Sequence, residues 1–259
     1  MKSGVQIPQC PPSVAKYLIL GTIIITGIWI YSQSSLQISY HFADTITPLP
    51  AITISTSSPE PNTKILIPDV PFTSQAPFGN WSDDRQQDGC EEASSLMAVS
   101  WARGTSFTPN EALNTILNAS KYELENYSEY RDISGRDTVE RIIKGYFGYT
   151  DVQFRGDITP ADIVKELHNG NLVITPMNGQ LLNNPNFTGA GPERHMLVVR
   201  GYDPQKREFI TNDPGTRKGE LYRYPESVLF SAIRDYHTGY HVPIKDIKKN
   251  MIVVSPIPR

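Results

Sequence analysis

The longest uninterrupted apolar stretch is Tyr17 to Tyr31, YLILGTIIITGIWIY, in which no charged residue appears. An amphipathic helix of a globular core carries a charged stripe on one face, and this run has none. About 20 residues are needed to cross a bilayer. Val14 and Ala15, ahead of a Lys16 able to snorkel, and the uncharged Ser32 to Leu36 supply the missing length. The pattern predicts a single transmembrane helix over 17–32. Lys2 and Lys16 precede it and no acidic residue occurs before Asp44, so residues 1–16 are expected in the cytoplasm and everything after Tyr31 outside it. A cleaved signal peptide has an apolar core of similar length, and Ser32-Gln33-Ser34 fits a small-x-small cleavage site; the remainder is then secreted. Over 33–64 the pattern dissolves into Ser, Thr and Pro with few charges. Such a composition buries too little apolar surface to offset its ordering entropy, and an extended linker is expected.

The folded unit is expected over 65–259, as one domain. Ile65 to Val70 alternates and stops at Pro71, a short strand. After the Asp88-Gly89 turn, Cys90 to Ala102 (CEEASSLMAVSWA) has apolar residues at helical spacing, with Gly104 as its stop. Thr108-Pro109-Asn110-Glu111 opens a second helix, with Thr as N-cap and Pro in the first turn. Asp137 to Phe147 and Thr159 to Leu167 read as two more. The period then shortens. Leu172 to Thr175, His195 to Tyr202, Glu208 to Asn212 and Glu220 to Tyr224 read as strands, Pro225 to Tyr236 as a helix, and Met251 to Ser255 as a closing strand. Helices followed by a run of strands predict an α+β fold with an antiparallel sheet. Pro176 to Arg194 has no period, and loops of that length are functional or disordered.

Composition narrows the function. The chain of 259 residues is 39% hydrophobic and 20% charged, an ordinary globular balance. A formal net charge of −3 offers no polycation, so no nucleic-acid partner is expected. Two cysteines cannot build a disulfide-rich scaffold or a four-cysteine zinc site. His237 and His241 are spaced i,i+4, but Gly239 intervenes and no third ligand is evident, so no metal is expected. No phosphate-binding glycine loop is present, and no cofactor is implied. Asn80, Asn118, Asn126 and Asn186 open glycosylation triplets that matter only in a eukaryotic secretory pathway. Tyr122, Tyr127, Tyr130 and Tyr146, Phe147, Tyr149 form two aromatic clusters, read as packing rather than as a sugar platform.

The candidate chemistry gathers around the second cysteine. Cys10 precedes the apolar segment and lacks the small-residue box of a bacterial lipoprotein, whereas Cys90 is the only thiol of the domain expected outside. An unpaired cysteine there is a liability unless it is used. Cys90 stands between a glycine turn and a helix start, where free N–H groups and the positive end of the helix dipole favour a thiolate. An inert core cysteine is the bland alternative. His195 opens the apolar strand HMLVVRGY, and Asp213 follows the next strand in FITNDPG. Two adjacent strands can bring the imidazole and the carboxylate together, completing a nucleophile, a base and an orienting acid. A strand-edge histidine and a turn-forming aspartate are the ordinary readings of each alone. Gln75, in VPFTSQAPFGNW, can donate its amide to an oxyanion, with the Cys90 N–H as second donor.

These blocks, VPFTSQ, the Cys90-Glu91-Glu92-Ala93-Ser94 helix start and HMLVVRGYD with FITNDPG, are similar to the bacteriocin-processing, double-glycine cysteine peptidases and their wider relatives in the papain-like clan. The resemblance covers most of Ile65 to about Tyr236. It implies a papain-like α+β fold with the nucleophile helix packed on an antiparallel sheet. It also implies Cys90 as nucleophile, His195 as base, Asp213 as orienter and Gln75 as oxyanion donor, with a peptide or protein substrate. The family's usual Gly-Pro after the cysteine is Glu91-Glu92 here. Both carboxylates are expected to face solvent as good first-turn residues; the alternative is that one of them selects a basic substrate group. The 259 residues hold neither the transporter membrane domain nor the ATPase of the bacteriocin-processing members, so double-glycine leader specificity is not assumed. A membrane-anchored extracytoplasmic cysteine peptidase is expected. The alternatives are an idle papain-like module that binds peptide or polymer, and a transpeptidase or cell-wall amidase using the same triad.

Overall fold

The computed structural model describes residues 63–257. The predicted cytoplasmic terminus 1–16, the apolar segment 17–32, Cys10 and all but the last two residues of the predicted linker lie outside the described residues. Among the described residues, no helix is long and apolar enough to cross a membrane.

The chain opens with β1 (Ile65–Leu66), one turn of helix α1 (Asp84–Gln87) and the central helix α2 (Cys90–Ala102). Helix α3 (Pro109–Tyr127) follows, then α4 (Gly135–Asp137), which continues as a π-helix over Thr138–Tyr146. Next come β2 (Val152–Arg155), α5 (Pro160–His168), β3 (Leu172–Met177) and a 3₁₀ turn (Gly179–Leu182). The run β4 (His195–Asp203), β5 (Glu208–Asn212), β6 (Tyr222–Pro225), α6 (Glu226–Ala232) and β7 (Met251–Val254) completes the domain. The strands form one antiparallel sheet in the order β2-β7-β3-β4-β5-β6, with β1 beside β4. The predicted α+β class with an antiparallel sheet is what the chain adopts.

Helix α2 packs on β3, β4 and β7 and is buried along its whole length. Its sequence carries no charged stripe because no side of it meets water. Met97, Val99 and Trp101 join the buried core, each contributing about 1.5–3 kcal/mol relative to exposure. The sheet centre follows the same logic: β3 and β4 are buried at every position, and their sequences are near-continuous apolar runs. Helices α3 and α5 start as their N-cap threonines predict. Thr108 with Glu111 and Thr159 with Asp162 close capping boxes, each followed by Pro at the first helical position.

The pairing of β4 with β5 positions the chemistry. Val198 lies opposite Asn212, so the first residues of β4 and the residue after β5 meet at one end of the sheet. His195 and Asp213 are those residues.

Several elements depart from the sequence pattern. The predicted strand Ile65 to Val70 pairs only at its first two residues. Beyond them Asp69 turns to φ 56°, and the buried Arg200 guanidinium takes the Ile67 and Val70 carbonyls that a strand partner would otherwise hold. The expected helix Asp137 to Phe147 is largely π-helical. The expected helix Pro225 to Tyr236 ends at Ala232, because Ile233 is drawn into a bridge with Met177 and the Arg234 N–H donates to Pro176. Strand β3 runs two residues further than expected, through Pro176. Helix α1 and strand β2 carry too few residues for a readable period. The two aromatic clusters meet: Tyr122 lies 5.6 Å from Tyr146, and Tyr146 lies edge-on to Phe147, packing α3 against the π-helix.

Candidate active site

Cys90 is the first residue of α2, and no side chain caps this helix end. Gly89 is required here by space: a Cβ would lie 2.5 Å from the Arg85 carbonyl oxygen and 3.1 Å from Ile116. The glycine lets α1 and α3 close on the turn that presents Cys90.

His195 is buried, and its Nε2 lies 2.8 Å from Asp213 Oδ1. The nitrogen left for other chemistry is therefore Nδ1. The carboxylate is itself fixed. Its Oδ1 also accepts the Gly215 N–H at 2.9 Å, and its Oδ2 accepts the Tyr224 phenol at 2.5 Å. Tyr224 in turn accepts from Asn184 Nδ2. Burial pushes the Asp213 pKa up, but the charge of His195 and the bonds from His195, Tyr224 and Gly215 outweigh it and hold the carboxyl below its ordinary value. Phe187 meets the imidazole edge-to-face at 5.5 Å. Gly215 has no room for a side chain, since a Cβ would lie 2.8 Å from Phe187 and 2.9 Å from the His195 ring. The long loop after β3 thus supplies Asn184 and Phe187 to the histidine's surroundings.

Gln75 is buried, and its Nε2 donates to the Gln87 carbonyl at 2.7 Å, leaving one amide proton over. Its backbone N–H donates to Pro214 at 2.9 Å, which ties the Gln75 loop to the loop bearing Asp213. Gln75, Cys90 and His195 line one cleft of about 270 Å³, with Asp213 behind the histidine. The four predicted site residues are gathered at one end of the sheet. A second cavity of about 310 Å³, lined by Arg136, Asp235 and Lys245, has no cysteine in its lining. His237 lines that cavity and His241 the cleft, so the histidine pair does not converge.

Glu91 and Glu92 correct the expectation that they face solvent: both are fully buried. Cys90 Sγ donates to Glu91 Oε2 at 3.0 Å, and no hydrogen bond joins Sγ to His195. Glu91 Oε1 accepts the Tyr236 phenol at 2.7 Å. Glu92 accepts from Ser120 of α3, and Glu123 of α3 is buried with neither oxygen bonded. Burial pushes the Cys90 thiol well above its ordinary pKa, and the Glu91 and Glu92 charges push it further. The helix dipole, which acts the other way, is worth about 1 kcal/mol and does not prevail. Burial raises Glu91 to about 7, and burial with the neighbouring Glu92 charge raises Glu123 to about 10.

These shifts make stability pH-dependent. The unfolded chain releases the Glu123 proton near 4.5, whereas the folded chain keeps it to about 10. The folded state therefore binds more protons between those values, and stability falls as pH rises through that window. The melting temperature is expected to drop from pH 5 to pH 8, and Glu123→Gln is expected to flatten that slope. Thermal melts of both chains across that range check this.

Tyr224, Tyr236, Asn184 and Phe187 escaped the sequence reading. Each reaches the site by strand register or loop packing, which no local spacing encodes. Glu91 and Glu92 did leave a signal: within CEEASSLMAVSWA they are the only charges, and a helix with no charged stripe buries its first turn too.

The model of the Peptidase_C39-like family matches residues 67–241, a segment spanning Gln75, Cys90, His195 and Asp213. The chain belongs to the Peptidase_C39-like family. No curated protein matches it significantly. Among solved structures, that of a provisionally assigned C39-like peptidase from Bacillus anthracis aligns with 76% of this chain and 100% of its own, at 14% identity and a TM-score of 0.50. At that identity the likeness is one of fold. Family membership and fold together suggest a cysteine peptidase.

Proposed function

We propose that this Peptidase_C39-like protein is a membrane-anchored cysteine peptidase whose domain, over 65–259, works outside the cytoplasm. His195 Nδ1 takes the Cys90 proton as the sulfur attacks a peptide carbonyl. The Gln75 amide and the Cys90 N–H hold the oxyanion. The protonated His195, held by Asp213, delivers its proton to the leaving amine and then activates water against the thioester. The observation that carries this reading is the buried His195–Asp213 pair, anchored by Tyr224 and Gly215 and sharing a cleft with Cys90. The charge-free segment 17–31 with its preceding lysines supports the anchor and the orientation.

The test is digestion of a peptide library by the full chain beside its Cys90→Ser variant. Wild type is expected to cleave and Cys90→Ser to lose cleavage entirely, with an unchanged melting temperature. Cleavage surviving the substitution contradicts the reading. One observation favours a second reading, an idle module that binds peptide or polymer: the thiol is bonded to Glu91 rather than to His195. That reading predicts binding without cleavage by either chain. A transpeptidase or amidase would share the acyl-enzyme and differ only in the acceptor or the acyl donor.

A further inference from the structure

The mechanism above leaves Glu91 unused, although its carboxyl touches the reacting atom. Oε2 lies 3.0 Å from Cys90 Sγ, and Oε1 is held at 2.7 Å by the Tyr236 phenol, which also reaches the His195 carbonyl at 3.4 Å. Cys90, Glu91, Tyr236 and His195 are all at least nine-tenths buried, so the carboxyl has no solvent-facing alternative. At this separation only one arrangement suits each charge state. Thiolate and carboxylate exclude one another, and one proton must stand between Sγ and Oε2.

We propose that Glu91 is a further catalytic residue of the site: as a neutral carboxyl it donates to Cys90 Sγ and supports the thiolate, and as a carboxylate it captures the thiol and silences it. The proposal rests on the cysteine peptidase reading and adds a regulation to it. In the reactive form Glu91 keeps its own proton, shared with sulfur, while the Cys90 proton passes to His195 Nδ1. The sulfur lone pair then forms the carbon–sulfur bond. When Glu91 loses its proton to solvent, the remaining thiol proton bridges to the carboxylate across the same 3.0 Å, and His195 is left without one to receive.

The surroundings set where this change falls. Burial raises the Glu91 pKa to about 7, against the lowering bonds from Tyr236 and Cys90. The groups around Glu91 include Glu92 on its own helix, Glu123 on α3, Asp132 ahead of α4 and Tyr236 after α6. His195 and Arg194 at the start of β4, Glu193 before them, and Asp88 and His241 line the same cleft. Arg194 does not neutralise Glu91, because it is engaged by Glu193 and Asp132. An acid whose folded value lies near 7 is neutral below it and charged above it. Thiol reactivity is therefore high on the acid side and suppressed on the alkaline side, the reverse of a free cysteine.

The test follows alkylation of Cys90 by iodoacetamide in the full chain from pH 5 to pH 9, read by mass on the Cys90 peptide so that Cys10 does not interfere. The wild-type rate is expected to fall by about 25-fold between pH 6.5 and pH 8.5, as expected for one ionisation near 7. Glu91→Gln keeps an acceptor for Tyr236 and offers sulfur a permanent donor, so its rate should not fall, exceeding wild type about 30-fold at pH 8.5. Tyr236→Phe removes a donor that favours the carboxylate and should move the fall to higher pH; it also serves should Glu91→Gln fail to fold. A Glu91→Gln profile superimposable on wild type, with Cys90 still fast and peptide cleavage still Cys90-dependent, overturns the role of Glu91 alone. A wild-type Cys90 that never labels faster than a free thiol, with no peptide cleaved, overturns the peptidase reading and the proposal together.

Discussion

Asp213→Ala is expected to lower kcat/KM on a peptide cleaved by wild type by about 10³–10⁴-fold, the scale seen when an orienting acid is lost from such a triad. The substitution removes the acceptor that holds His195 Nε2 and, with it, the tautomer that leaves Nδ1 free. It also strips the Tyr224 phenol and the Gly215 N–H of their shared partner in a buried site. Asp213→Asn should fall in the same range, since the same exchange costs about 10⁴-fold in a serine triad. An amide oxygen can still accept from both His195 and Gly215, but its NH₂ must then face a phenol that already accepts from Asn184. Steady-state kinetics on the three chains check both losses. An Asp213→Ala enzyme within tenfold of wild type refutes the assignment of Asp213.

Gly219→Ala is expected to cost on the order of 10²-fold or more in kcat/KM, because an error of about 1 Å in a reacting group is enough for that. Gly219 does not line the cleft, but a Cβ on it would fall 1.8 Å from the Asp213 carbonyl oxygen. Its own carbonyl accepts the Asp213 N–H at 3.0 Å, so the two backbones clasp each other. A methyl group cannot be absorbed by turning a side chain; the Asp213 backbone must move, and His195 loses its hold. Overpacking of this kind costs about 1–3 kcal/mol in stability, so the domain should remain folded at room temperature while activity collapses. Melting and kinetics measured on the same preparation separate the two effects, and full activity in Gly219→Ala contradicts the coupling.

The sequence foretold most where local chemistry decides structure. Thr108 and Thr159 announce their helices because a hydroxyl at the N-cap and an acid three residues on satisfy the same orphan N–H groups in any fold. His195 and Asp213 were legible because an apolar strand opening on a histidine, followed by a strand ending before Asp-Pro-Gly, leaves few ways to pair other than antiparallel. What lay beyond reach depends on long-range packing. Tyr224 reaches Asp213 only through the β5–β6 register, in which Tyr224 lies opposite Phe209. Tyr236 reaches Glu91 only because the end of the last helix is unwound to meet β3. Glu91 and Glu92 were misplaced because first-turn acids are ordinarily solvated, and here the end of α2 is enclosed by α3 and the segment around Tyr236. The resting thiol follows from that enclosure: burial beside two acids outweighs the helix dipole that sequence position alone brings to mind.

The central claim is that Cys90 carries the acyl group. Mixing the full chain with an activated peptide ester, quenching in acid and mapping the added mass tests it most directly. One acyl group is expected, on Cys90, released by hydroxylamine as a thioester and absent from Cys90→Ser. Turnover of the ester with no acyl group on Cys90, or with the group on another residue, would contradict it.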